Sequence, residues 1–267
     1  MIAMASWKIV LICAGGFVLL HFLLSMIPNL LLYLRPAARG DARAGLVVFV
    51  EGIRWLSVEW DSRPVLAGLR RAGFRGELVY RRWHSTWRAW LVLPAIMDRR
   101  LIEREAAKLA DFIAAERRSN PARPLYAVAC SAGSAVMLRA LEMLPAGVAV
   151  TAGAILAGAF DPRRDLAPAM AHVAGNLVVT SSLGDWLLLG LGTLLSGTAD
   201  GRHTPSAGMI GLRGRFAGRS DDARSAEARI VEIKWRPTMV ALGHLGGHFT
   251  SPTVIARYVA PAMGLCG

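Results

Sequence analysis

Leu125-Tyr126-Ala127-Val128-Ala129-Cys130-Ser131-Ala132-Gly133, followed by SAVMLRALEML over residues 134–144, is the stretch on which the fold turns. A short apolar run ends at Cys130 and a helical pattern begins directly after Gly133, so the segment reads as strand, sharp turn, helix. In such a turn the strand and helix leave no room for large side chains two residues before and two after the central residue. Ala129 and Gly133 satisfy that demand and leave Ser131 at the apex. Small-x-Ser-x-Gly is frequent by chance; its place between a strand and a helix is what gives it weight.

Working outward, five more runs share the character of residues 125–130: LVVFV at 46–50, ELVYRRW at 77–83, VTAGAILA at 150–157, NLVVTS at 176–181 and ARIVEIKW at 228–235. Runs this short and apolar suit strands buried on both faces. Between them, Met97, Leu101, Ile102, Leu109, Phe112 and Ile113 recur at helical spacing among charged neighbours, predicting a helix over 97–118, with further helices over 134–144 and 249–260. Strand alternating with helix predicts an α/β fold, a three-layer α/β/α sandwich with a mainly parallel sheet of about six strands. Such sheets place their sites in loops beyond the carboxyl ends of the strands.

The amino-terminal region is different. Residues 9–34 (IVLICAGGFVLLHFLLSMIPNLLLYL) carry no Asp, Glu, Lys or Arg and exceed the ~20 residues that span a bilayer, so one transmembrane helix is expected ahead of the sheet. Trp7 and Tyr33 stand at its ends, where aromatic rings favour the interface. Arg35-Pro36 follows in place of a small-residue cleavage site, which favours an uncleaved anchor. The expected organisation is an anchor over 1–35, a linker over 36–45 and a catalytic domain over 46–267. Arg35, Arg39 and Arg43 after the span outnumber Lys8 before it, which places the domain on the cytoplasmic side, at a bacterial inner membrane. The net charge of +12 suits an anionic lipid surface. Nucleic acid is not expected as a partner, because the arginines are scattered and no recognition motif accompanies them. Cys13, Cys130 and Cys266 form neither a disulfide framework nor a metal spacing.

Ser131 at such a turn is a candidate nucleophile, and the order serine, acid, histidine along the chain supplies its partners. Asp185 follows the run 176–181 and is the favoured acid, with Asp161 and Asp200 as alternatives. His248, expected to open the last helix, is the favoured base, with His244 as its alternative. The two histidines lie four apart, but Gly243, Gly246 and Gly247 argue for a loop and no third metal ligand is evident, so neither metal nor cofactor is expected. The backbone N–H groups of Ala132 and Ile53 are the candidate oxyanion donors, and Glu51 beside them has no assigned role. Two apolar stretches, Trp83/Trp87/Trp90/Leu91/Leu93 and WLLLGLGTLL at 186–195, are either packing segments or the walls of an apolar pocket or membrane-facing surface.

With these residues in place, the chain from about 46 to 260 resembles the α/β-hydrolase superfamily, in its serine esterase and lipase-like branches. The region from Gly197-Thr198-Ala199-Asp200-Gly201 to Ser206-Ala207-Gly208-Met209 is similar to that of a little-characterised bacterial group of predicted hydrolases with an N-terminal membrane segment. The chain departs from the superfamily at Ala129, which stands where the first elbow glycine is usual, and in having no strands before Leu46. The resemblance implies hydrolysis of a small-molecule or lipid ester through an acyl-enzyme on Ser131. A thioesterase or amidase would use the same residues, and a non-catalytic membrane-tethered binding protein would keep only the fold.

Overall fold

The computed structural model describes residues 40–52, 61–84, 98–213, 221–248 and 251–265, with isolated positions between 13 and 32. Six strands, β1 (Leu46–Val50), β2 (Glu77–Arg81), β3 (Leu125–Cys130), β4 (Ala152–Leu156), β5 (Leu177–Ser181) and β6 (Ile230–Lys234), form one sheet in the order β2-β1-β3-β4-β5-β6. Every pairing is parallel. All six runs marked in the sequence become strands, several shortened at their ends. The run 150–157 stops at Leu156 because Ala157 turns to φ 47°, outside the extended region.

β1 shows why the pattern is continuous and not alternating. Leu46, Val48 and Val50 enter one apolar cluster while Val47 and Phe49 enter another, and all five are buried. The first cluster is closed by α2 (Arg99–Ser119) and α3 (Gly133–Glu142), through Leu101, Ile102, Leu109, Ile113, Val136 and Leu141. The second is closed by α1 (Ser62–Arg71), through Val65 and Leu69, and by the C-terminal helical stretch, through Ile255, Val259 and Met263. The sandwich therefore has three layers. Each face buries branched side chains at about 25 cal/mol per Å² of apolar area, and a slip of one residue would exchange the two sets.

α2 starts two residues later than the periodicity suggests because Asp98 caps it, accepting from the Leu101 N–H at 3.0 Å. The last helix begins at Pro252, so His248 belongs to the loop before it and not to its first turn. α1 was not anticipated, although Val65 and Leu69 carry an i, i+4 apolar pair. Trp87, Trp90, Leu91 and Leu93 lie outside the described residues. So does most of the apolar segment 9–34, whose few described positions are helical. Among the described residues no helix is long and apolar enough to cross a membrane.

Candidate active site

Ser131 follows β3 directly and has φ 49°, a left-handed conformation that costs a side-chain-bearing residue about 1–2 kcal/mol. Its surroundings over-determine that geometry. The Ser131 N–H donates to Leu156 O at 2.9 Å, while the Ser131 carbonyl accepts from Ser134 N–H, Ala159 N–H and Ser134 Oγ at 3.1, 3.1 and 2.6 Å. A methyl group at Gly133 would lie 2.3 Å from Glu51 O and 2.6 Å from Val50 O, so the close approach of α3 to the end of β1 requires glycine there. Ala129, by contrast, is an interior residue of β3, opposite Val50 and Ile155, where a methyl group fits the core. The turn tolerates the missing first glycine for that reason. Ala132 stands at the head of α3, where the first N–H groups have no intrahelical partner and point toward negative charge.

Asp185 ends a short turn (Leu183–Asp185) that Ser182 opens, and it is buried to 4% exposure. Its Oδ2 lies 2.6 Å from His248 Nδ1. The two loops are locked by backbone: Ser182 Oγ donates to Gly246 O, and a methyl group at Gly184 would meet Gly246 O at 2.4 Å. Burial works to lower the His248 pKa, but the charge of Asp185 and its hydrogen bond, with Asp61 adding to them, outweigh burial and raise it to about 9. Asp185 is also felt at Cys130, next to Ser131. Cys130 itself is fully enclosed, and burial together with the charges of Asp61 and Glu51 pushes its thiol well above the usual range, which keeps it protonated and inert.

The alternatives are engaged elsewhere. Asp200 pairs with Arg164 and accepts from the Asp161 N–H at 2.6 Å, while Asp161 caps the Arg163 N–H at 2.9 Å. Arg164 extends that network to Glu142 at 2.7 Å. Neither carboxylate meets His248. His244 lines a small pocket with Thr180, Ser181, Asp185, Trp235 and His248, but among the described residues its buried Nδ1 has no hydrogen bond and no carboxylate orients it.

Burial lowers the His244 pKa to about 4. Between pH 6.5 and about 4 the unfolded chain therefore binds a proton at this position that the folded chain refuses, so stability falls as pH drops. Chemical denaturation at pH 6.5 and pH 5 is expected to show wild type losing about 2 kcal/mol more than a His244→Gln variant. Equal losses in the two proteins would show that His244 is not held neutral.

Trp83, read in the sequence only as part of an apolar stretch, and His84, to which the sequence assigned no role, hold the segment that faces Ser131. Trp83 Nε1 donates to Glu51 O at 2.8 Å and Gly52 O at 3.2 Å, and His84 Nε2 lies 3.1 Å from Gly52 O. A methyl group at Gly52 would come within 2.9 Å of Ser131 Cβ, so this backbone is pressed against the serine. Ile53 lies outside the described residues. The apolar stretch after Asp185 winds as a wide helix, Trp186–Gly192, continuing into Thr193–Ser196. It buries Leu189 but exposes Trp186, Leu191, Leu194 and Leu195.

No protein-family model matches the chain, and no curated protein matches it. Among solved structures it is similar to a Trichoderma reesei cutinase in complex with a C11Y4 phosphonate inhibitor, at 13% identity and a TM-score of 0.37, over 94% of this chain and 89% of that one.

Proposed function

We propose that this chain is a serine hydrolase of the α/β-hydrolase type that cleaves a carboxylic ester through an acyl-enzyme on Ser131, with His248 as base and Asp185 as orienting acid. The observation that carries the proposal is the buried Asp185–His248 contact of 2.6 Å on a sheet whose β3 ends in a positive-φ serine. With Nδ1–H given to Asp185, neutral His248 carries its proton-accepting lone pair on Nε2. In the proposed reaction His248 takes the Ser131 proton as the serine oxygen attacks the acyl carbonyl. The Ala132 N–H receives the developing oxyanion, and His248 returns the proton to the departing alcohol. Water then repeats the sequence on the acyl-enzyme. Asp185 stabilises the imidazolium, which is the physical meaning of the raised His248 pKa.

The exposed Trp186–Gly192 segment, contiguous with Asp185, supports an acyl group of lipid-like character as the substrate's apolar part. The apolar run 9–34 supports an N-terminal membrane anchor, with the hydrolase domain on the cytoplasmic side.

A fluorophosphonate probe tests the proposal. Wild type is expected to label on Ser131, and Ser131→Ala and His248→Ala are expected not to label. A folded wild-type protein that never labels would make the chain a binding protein on a hydrolase-like frame. A panel of esters, thioesters and amides ranked by kcat/KM then identifies the acyl bond.

A further inference from the structure

The mechanism leaves one buried group of side chains unused. Glu51, directly after β1, is 1% exposed, and Asp61, directly before α1, is 8% exposed. Asp61 occupies the N-cap position of α1 yet makes no capping hydrogen bond, so its carboxylate does not serve the helix that it precedes. It lies against Glu51, near enough for the two carboxyl groups to share a hydrogen bond. Two carboxylates cannot make that bond without a proton between them, and Glu51 Oε2 receives no hydrogen bond from any donor among the described residues. Gly52 links the pair to the nucleophile: a methyl group there would lie 3.6 Å from Asp61 Oδ2 on one side and 2.9 Å from Ser131 Cβ on another.

We propose that Glu51 and Asp61 are a positioning pair that shares a single proton and holds the Gly52 backbone against Ser131, so that losing this proton at alkaline pH switches the hydrolase off. The inference rests on the serine hydrolase reading. With one proton the pair carries one negative charge and a short internal hydrogen bond. Without it, two buried charges repel in surroundings that cannot solvate them, and the Glu51–Gly52 segment has to move away from the turn.

Among the described residues, the neighbouring groups do not supply the missing counter-charge. Tyr80 from β2 hydrogen-bonds Glu51 with an uncharged hydroxyl, the His84 ring after it lies 3.1 Å from Gly52 O, Cys130 at the end of β3 is held as a protonated thiol, and Asp185 beyond β5 is a further carboxyl group. Arg81 of β2 stacks over Phe112, 3.8 Å from the ring centroid, on the face covered by α2. His248 is the basic group on which the charge of Asp61 acts. Burial first, and the charge and hydrogen bond of Asp61 after it, push Glu51 up to about 9.

The test combines two measurements on the full-length protein. In a carboxyl-carbon NMR titration with ¹³C-labelled glutamate, wild type is expected to show one glutamate still protonated at neutral pH and titrating near 9, a signal absent from Glu51→Gln and moved down by about one unit or more in Asp61→Asn. Fluorophosphonate labelling rates of wild type and Glu51→Gln are compared over the same range, because in their ratio the ionisation of His248 cancels. That ratio is expected to be flat at lower pH and to fall about tenfold per pH unit above about 9. If every glutamate is ionised at neutral pH, or if the ratio stays flat, the pair does not act in this way. If the glutamate titrates as expected but wild type never labels, the hydrolase reading fails and takes the switch with it, while the shared proton stands.

Discussion

Replacing Ser131 with alanine is expected to lower kcat on an acyl ester about 10⁶-fold while leaving the fold unchanged. The size follows from the nucleophile's place in a unit of interdependent groups, where removing the serine alone costs about as much as removing the whole unit. The lack of a stability penalty follows from the local geometry. The φ of 49° at Ser131 is imposed by four hydrogen bonds to its own backbone, none of which involves its hydroxyl. Alanine is no worse than serine in that conformation, and Ala157 in the same fold already adopts φ 47°. Unfolding free energies of the two proteins should agree within about 0.5 kcal/mol. A variant that folds and keeps even a hundredth of the wild-type rate would remove Ser131 from the reaction.

Asp185→Asn is expected to cost about 10⁴-fold in kcat, and Asp161→Asn and Asp200→Asn no more than a few-fold. Asparagine can offer its amide N–H to His248 Nδ1, which leaves the proton on Nε2 and makes it useless as a base. The same change withdraws the charge that holds the His248 pKa up at about 9, so in Asp185→Asn the imidazole ionises at lower pH. Activity requires neutral His248, and the acid limb of the kcat/KM profile should shift down with that pKa even as the plateau collapses. The other two aspartates are expected to show the opposite signature, because they hold structure. Asp200→Asn breaks a mostly buried pairing with Arg164 and weakens the acceptor of the Asp161 N–H, at a cost of about 1–3 kcal/mol in stability. A rate loss at Asp200 or Asp161 comparable with that at Asp185, in protein of unchanged stability, would reassign the acid.

Much of this frame is legible along the chain because its causes are local. The six strands announce themselves as short apolar runs, since a strand covered on both faces has no polar side to interrupt it. The turn at Ser131 is legible for the same reason: Gly133 is demanded by a contact between α3 and the end of β1 that recurs wherever a strand feeds a helix this sharply. The order of Ser131, Asp185 and His248 is equally a property of the chain.

Choices among equals could not be made there. Asp161, Asp185 and Asp200 all follow strands or their loops, and only the folded chain shows that Arg164 and the Asp161 backbone take Asp200 while Gly246 packs against Gly184 and delivers His248 to Asp185. His244 and His248 differ by four residues and share a glycine-rich loop, yet burial without a partner lowers one pKa and a buried carboxylate raises the other. Trp83 and His84 look like part of an aromatic stretch until their ring nitrogens are seen on the carbonyls of Glu51 and Gly52.

Local order of residue types therefore determined the sandwich, the turn and the candidate nucleophile, because strand, turn and helix signals act over a few residues and need no distant partner. Tertiary structure alone decided which acid and which histidine meet, and which carboxylates must share a proton. Those outcomes depend on desolvation and on hydrogen bonds between positions far apart in the chain, and neither exists until the chain has closed on itself.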